Sequence, residues 1–324
     1  MPIETTVVGS YPKPPDEGRP FTVRKTLHAI ERGDASPEDL RSAQDDLVTQ
    51  IVREQEAAGI DVVTDGHARW DDIVTPFARN IANFEIGGLL RWFDNNVYYR
   101  RPIARGPVEW RGPSSIDAYR FAAGLTDRKV KAVIPGPVSF AHLSVDEHYG
   151  NHERFVLDLA SVLAQEAAEL EAAGAPLIQI DEPVLLGAPE DLDLAVEAVG
   201  LITSELSETG TILATYFGDA KRLGADIFNI PTDAFAFDLV SGPESIELIR
   251  ATPADKAIQA GIVDSRNTRL EDGGTLQTTI EELAGIVGAE RLSVAPSAGL
   301  EFLPREKARA KLERLASVAK KVGA

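Results

Sequence analysis

The sequence predicts a (β/α)8 barrel, and three observations carry that prediction. Eight short apolar runs begin near residues 5, 60, 131, 177, 211, 234, 257 and 292, each ending in a polar or proline-glycine turn. Helical patterns alternate with them, most plainly at 190–207, 243–251, 275–287 and 304–322. No glycine-rich dinucleotide fingerprint follows any of the runs, so eight alternating units favour a closed barrel over a doubly wound sheet. The chain has no Ser/Gly linker tract, and a single domain is expected over residues 1–324.

The first unit opens with Thr5-Thr6-Val7-Val8 and turns at Gly9-Ser10-Tyr11-Pro12; residues 12–20 read as loop. Ser36-Pro37-Glu38-Asp39 then has the residues of a helix start: a capping hydroxyl, proline at the first position and acids in the first turn. That helix closes on Glu56-Ala57-Ala58-Gly59 and hands over to Ile60-Asp61-Val62-Val63-Thr64-Asp65. The same unit recurs about 115 residues later, where a helix capped by Asn151 closes on Glu171-Ala172-Ala173-Gly174 before Leu177-Ile178-Gln179-Ile180-Asp181-Glu182-Pro183. Four residues with no polar alternation suit a strand buried on both faces, and Pro183 ends it by lacking an N–H. Asp181 and Glu182 thus stand at the carboxyl end of a buried strand, where parallel folds of this class place their chemistry.

Between the second and third runs lies an insertion, about residues 68–130, holding all three tryptophans and a cluster of arginines. Val97-Tyr98-Tyr99 and Val108-Glu109-Trp110 are expected to pair there as a β-hairpin flap. Its arginines and rings suit ordinary stacking within a hairpin, a docking surface or a flat cofactor ring, for which Trp92, Tyr98 and Arg101 are the candidate binding residues.

Composition narrows the function. The chain has 324 residues, 44% of them hydrophobic and 26% charged, with a formal net charge of -18 and no cysteine. Acidic excess argues against nucleic-acid or anionic-membrane partners. Without cysteine there is no disulfide, thiol nucleophile or thiolate zinc site. No secretory signal or span-length apolar run is visible, so a cytoplasmic location is expected.

The strand ends gather Ser10, Asp65, His67, Asp181, Glu182, Tyr216, Asp238, Asp264, Arg266, Asn267 and Ser297. Taken singly each has a plain structural use, as a helix cap, a packing histidine or a surface ion pair. Together, acids with a histidine and an arginine suit a small zwitterion: a carboxylate for its ammonium, a guanidinium for its carboxylate.

These residues resemble a family. Gly9-Ser10-Tyr11-Pro12, Thr64-Asp65-Gly66, Ile180-Asp181-Glu182-Pro183, Phe237-Asp238-Leu239-Val240, Gly261-Ile262-Val263-Asp264-Ser265-Arg266-Asn267 and Val294-Ala295-Pro296-Ser297 resemble, in order and across nearly the whole chain, the cobalamin-independent methionine synthases. The resemblance implies a (β/α)8 fold and methyl transfer to the thiol of homocysteine, from methyltetrahydrofolate or a methylcobalamin-bearing corrinoid protein. It implies that Asp181 meets the substrate ammonium and Ser10 its carboxylate, with Asp264, Asn267 and Ser297 in the same substrate-binding set. It makes His67, Tyr216, Asp238 and Arg266 the candidate catalytic residues, His67 standing where the family has a substrate-gripping Glu and Arg266 where it has a proton-donor His. The family's zinc ligands fall at Ala214, Tyr216, Asp238 and Ala298, so no metal is expected there. Ala-Thr-Tyr-Phe-Gly and Phe-Asp-Leu-Val resemble the family's amino-terminal, zinc-less barrel. Two alternatives follow: a non-catalytic companion of a zinc-bearing homologous barrel, or a diverged transferase or lyase with a rebuilt acid–base set.

Overall fold

Local chemistry sets the helix ends as expected. Ser36 Oγ accepts from the backbone N–H of Asp39 while the Asp39 carboxylate accepts from Ser36 N–H, a reciprocal box that starts the helix Pro37–Ala58. Asn151 caps the helix His152–Ala172 by accepting from Arg154 N–H at 2.8 Å. Both Glu-Ala-Ala-Gly stops place their glycine in the left-handed region, Gly59 at φ 89° and Gly174 at φ 88°, where a side chain would be strained.

The computed structural model describes residues 3–18, 20–95 and 97–322. Its strands are β1 (Glu4–Thr5), β2 (Val62–Val63), β3 (Ile81–Arg91), β4 (Tyr98–Trp110), β5 (Lys129–Pro135), β6 (Val145–Asp146), β7 (Leu177–Asp181), β8 (Gly210–Thr215), β9 (Ala234–Asp238), β10 (Ala257–Val263) and β11 (Leu292–Pro296). Eight of them, in the order β1-β11-β10-β9-β8-β7-β5-β2, form one sheet, and a parallel bridge from Thr6 to Val62 joins its ends. This is the (β/α)8 barrel of the sequence prediction, with β1 and β2 shorter than their apolar runs.

The chain divides into two compact units, Met1–Arg69 with Arg120–Val130 and Ala260–Ala324, and Trp70–Tyr119 with Lys131–Gln259. The first carries the parallel pairs β1–β11 and β2–β5, the latter through Val62↔Lys129 and Val63↔Val130. The second carries β5–β7, β7–β8 and β8–β9, with Ile134↔Ile180 and Ile180↔Leu213 in register. Ile134, Ile180 and Phe235 are fully buried there, as a strand covered on both faces requires.

The hairpin exists with a different pairing from the one expected. Tyr98 to Trp110 is one continuous strand that pairs antiparallel with β3, Leu90 opposite Tyr99 and Ile81 opposite Trp110. The residues between those two segments, Arg100 to Pro107, lie inside β4, so no turn separates them. Pro102 is tolerated because it lies beside a register shift, where β3 carries an extra residue between Ile86 and Leu89. The helices Thr22–Glu31, Thr75–Arg79, Ile116–Ala123 and Pro137–Leu143 went unsignalled; in the first, Phe21 at the N-cap offers no capping side chain and only Val23 is buried.

Candidate functional site

Asp181 is the centre of the second unit's polar cluster. It ends β7 with its side chain 2% exposed, accepting from Tyr216 OH at 3.0 Å and from Gln179 Nε2 at 2.6 Å. Gln179 shares its face of the strand because side chains two apart point the same way. The Gln179 carbonyl oxygen in turn accepts from Lys131 Nζ at 2.5 Å, and Lys131 also donates to Gln259 Oε1 at 3.1 Å. Lys131 is itself 2% exposed, so a buried ammonium is linked through one amide to a buried carboxylate. Burial is the main influence on Asp181 and pushes its carboxyl up to about 7, against the lowering effect of Gln179, Tyr216 and the Lys131 charge.

The neighbouring acid does different work. Glu182 accepts from the N–H groups of Val138 at 2.9 Å and Ser139 at 2.7 Å, capping the short helix Pro137–Leu143 from outside. Gly136 makes this possible, since a Cβ there would lie 2.1 Å from Glu182 Cδ. Burial raises Glu182 to about 7 as well, with those hydrogen bonds opposing.

Asp238, at the end of β9, is also spoken for by backbone. It accepts from Phe217 N–H at 3.1 Å, Val240 N–H at 2.9 Å and Ser241 N–H at 2.8 Å, while burial raises its pKa above the ordinary carboxylate range. Its hold on Phe217 matters because that residue sits at φ 70°, a conformation costly for a bulky side chain. The Phe217 ring lies 4.7 Å from that of Tyr216 and 5.3 Å from that of Phe93, itself at φ 49°. Phe93 belongs to the turn between β3 and β4. The hairpin tip is therefore fastened beside the tyrosine that bonds Asp181. Of the flap residues picked from sequence, Trp92 is buried against Phe93 and Tyr99, Arg101 donates to the Ser144 carbonyl at 3.3 Å, and Tyr98 is 52% exposed.

The first unit joins Ser10 to His67, Oγ to Nδ1 at 3.0 Å. The turns carrying them are knitted by Thr64 Oγ1 donating to Gly9 O at 2.8 Å and Tyr11 N–H to Gly66 O at 3.1 Å. The His67 ring packs on Gly9, where a Cβ would come within 2.6 Å of Cε1. Asp65 accepts from His67 N–H at 3.0 Å, and burial raises its pKa. Ser297 is buried with its hydroxyl 3.1 Å from that of Ser265. Asp264 and Asn267 each accept from a backbone N–H two residues on, Arg266 and Arg269 respectively, and Arg266 and Asn267 are exposed.

Lys131, Gln259 and the Phe93–Phe217 pair were not among the residues chosen from sequence. A lysine opening an apolar strand was the one visible sign of the first. At the four positions that the family resemblance assigns to zinc, Ala214 and Ala298 are buried methyl groups, the Tyr216 hydroxyl donates to Asp181, and the Asp238 carboxylate is held by backbone N–H groups. With neither thiolate nor imidazole, this donor set does not fit a zinc centre.

Residues 3–321 match the family model described as the catalytic domain of cobalamin-independent synthases. The methionine synthase of Saccharolobus solfataricus is 33% identical over 313 residues, spanning 96% of this chain and 92% of the relative. That of Sulfurisphaera tokodaii is 31% identical over 96% of this chain and 89% of its own. Among solved structures, the B12-independent methionine synthase of Shewanella sp. W3-18-1 in complex with selenomethionine superposes with a TM-score of 0.85 at 22% identity, covering 100% of this chain and 98% of that one. A methyltransferase from Methanosarcina mazei gives 0.69 at 14% identity, covering 100% and 95%. The fold is theirs, and by the sequence matches the chain belongs to the cobalamin-independent methionine synthase family and is a methyltransferase.

Proposed function

We propose that this methyltransferase moves a methyl group onto the thiol of homocysteine, from methyltetrahydrofolate or a methylcorrinoid, and that Asp181 anchors the amino-acid ammonium. The observation that supports this reading most is the state of Asp181: a buried carboxylate at a strand's carboxyl end, oriented by Tyr216 and Gln179 and raised by burial to about 7. An arriving ammonium supplies the charge partner that burial withholds, so binding draws the carboxyl into its ionised form. The aromatic pair Phe93–Phe217 beside Tyr216 suits exclusion of water from that anchor.

A free thiol titrates at about 8.5, so only a few per cent is thiolate at neutral pH unless something withdraws the proton. Ala214 and Ala298 in place of metal donors favour a second reading, a companion barrel that binds the amino acid while a zinc-bearing relative does the chemistry. One experiment addresses both. Homocysteine is supplied with each methyl donor, with and without a zinc-bearing homologue, and methionine is quantified. Turnover by the chain alone supports the first reading, and turnover only with the homologue supports the second. Failure of Asp181→Asn to weaken methionine binding by at least about tenfold would remove the anchor, since hydrogen bonds to charged groups are worth roughly 1.5–3 kcal/mol.

A further inference from the structure

A second group of chemically capable side chains lies in the second unit, on three helix ends. His142 stands in the last turn of the helix Pro137–Leu143, His152 opens the helix His152–Ala172, and Asp191 precedes the helix Leu192–Thr203. Asp191 Oδ2 is 2.6 Å from His142 Nε2 and 3.1 Å from His152 Nε2, and all three atoms fall within 4.8 Å of one another. We propose that these residues form a binding site for a divalent transition-metal cation of the zinc class, separate from the Asp181 cluster.

Three observations carry this. First, the ligand type is right: two imidazoles and one carboxylate select borderline transition metals over magnesium or calcium, which want oxygen alone. Second, the spacing is nearly right. Ligand atoms around a tetrahedral zinc with bonds of about 2.0–2.1 Å lie roughly 3.3 Å apart, so each histidine–aspartate edge needs a change of under about 1 Å. Third, Asp191 forgoes its ordinary use. It occupies the N-cap position of its helix, where an aspartate usually accepts from the first turn, yet its side chain makes no capping bond and faces the two imidazoles.

The surroundings favour a cation. His152 and Asp191 line a cavity of about 460 Å³ together with Glu153, Glu190, Asp193 and Glu197, and among the described residues no lysine or arginine lines it. The side chains of His142 and His152 are 36% and 41% exposed, so an ion can enter and keep water at its remaining position. Bound there, the cation would tie three helix ends together.

The test uses the untagged 324-residue chain after chelator treatment. Cobalt(II) is titrated with the visible absorption band as readout, and zinc binding is followed by calorimetry. One equivalent per chain is expected. His142→Ala with His152→Ala should weaken it at least about 100-fold, given that loss of even an outer-shell partner costs metal sites 10–100-fold. Asp191→Asn, which keeps the side chain's shape, should weaken it at least about tenfold and shift the cobalt band. A chain that takes up no cobalt or zinc at millimolar metal overturns the proposal, as does uptake that all of these variants leave unchanged.

Discussion

Tyr216→Phe isolates the electrostatics of the anchor, because it removes one hydroxyl and leaves the ring in place. The hydroxyl donates to Asp181 Oδ2 at 3.0 Å and is one of the groups holding the carboxyl down against burial. Taking the low end, ~1.5 kcal/mol, for a hydrogen bond to an ionised group, and ~1.36 kcal/mol per pKa unit, its loss moves the midpoint of Asp181 up by about one unit. The native midpoint is about 7. At pH 7 the ionised share then falls from about a half to about a tenth, weakening methionine binding roughly fivefold, whereas by pH 8.5 the gap shrinks to roughly 1.3-fold. Calorimetric titration of both proteins from pH 6 to 8.5 reads this directly, and the ligand's own titration cancels in the ratio. A ratio that is flat across pH would refute the electrostatic account, leaving Tyr216 a purely steric or direct substrate contact. The same shift carries a stability sign. Asp181 is raised from the ordinary aspartate value of 3.8, so its ionisation costs stability as pH climbs from there to about 7. In Tyr216→Phe that loss extends to higher pH, visible in thermal melts of the ligand-free protein.

Other expectations follow from single contacts. Gly136→Ala drives a methyl into Glu182, where a Cβ would sit 2.1 Å from Cδ; overpacking of this kind costs about 1–3 kcal/mol and should lower the melting temperature by several degrees. Phe93→Ala removes ring contacts to Phe217 and Trp92 at 5.3 and 4.8 Å. At about 0.5–1.5 kcal/mol per aromatic pair, the hairpin tip should exchange amide hydrogens faster while the barrel strands do not. Asp238→Asn puts an amide where three backbone N–H groups converge, so one contact becomes donor against donor. A cost of about 1–3 kcal/mol in chemical denaturation is expected, and no change there would show the cap to be dispensable.

Some of this was legible from residues alone because the physics behind it is local. Ser36-Pro37 and Asn151 announce helix starts, the glycines after Glu-Ala-Ala announce stops, and apolar runs ending in proline or glycine announce buried strands. These signals need no partner distant in sequence, and they sufficed for the barrel class and the place of Asp181. The hairpin's pairing was misread because Pro102 and Gly106 look like a turn locally, whereas the partner Ile81–Arg91 is chosen across the sheet.

The sequence by itself thus determined the alternating βα grammar, the acids at strand ends and the family resemblance, since spacing and turn chemistry are written along the chain. Tertiary structure alone decided what each acid does. Asp181 meets side chains from β8's end and its own strand, Glu182 meets the N–H groups of a helix more than forty positions back, and Asp238 pins a strained Phe217. Likewise only the fold brings His142, His152 and Asp191 to one point. A carboxylate's role is set by its burial and by which donors reach it, and both are properties of folded space rather than of neighbouring letters.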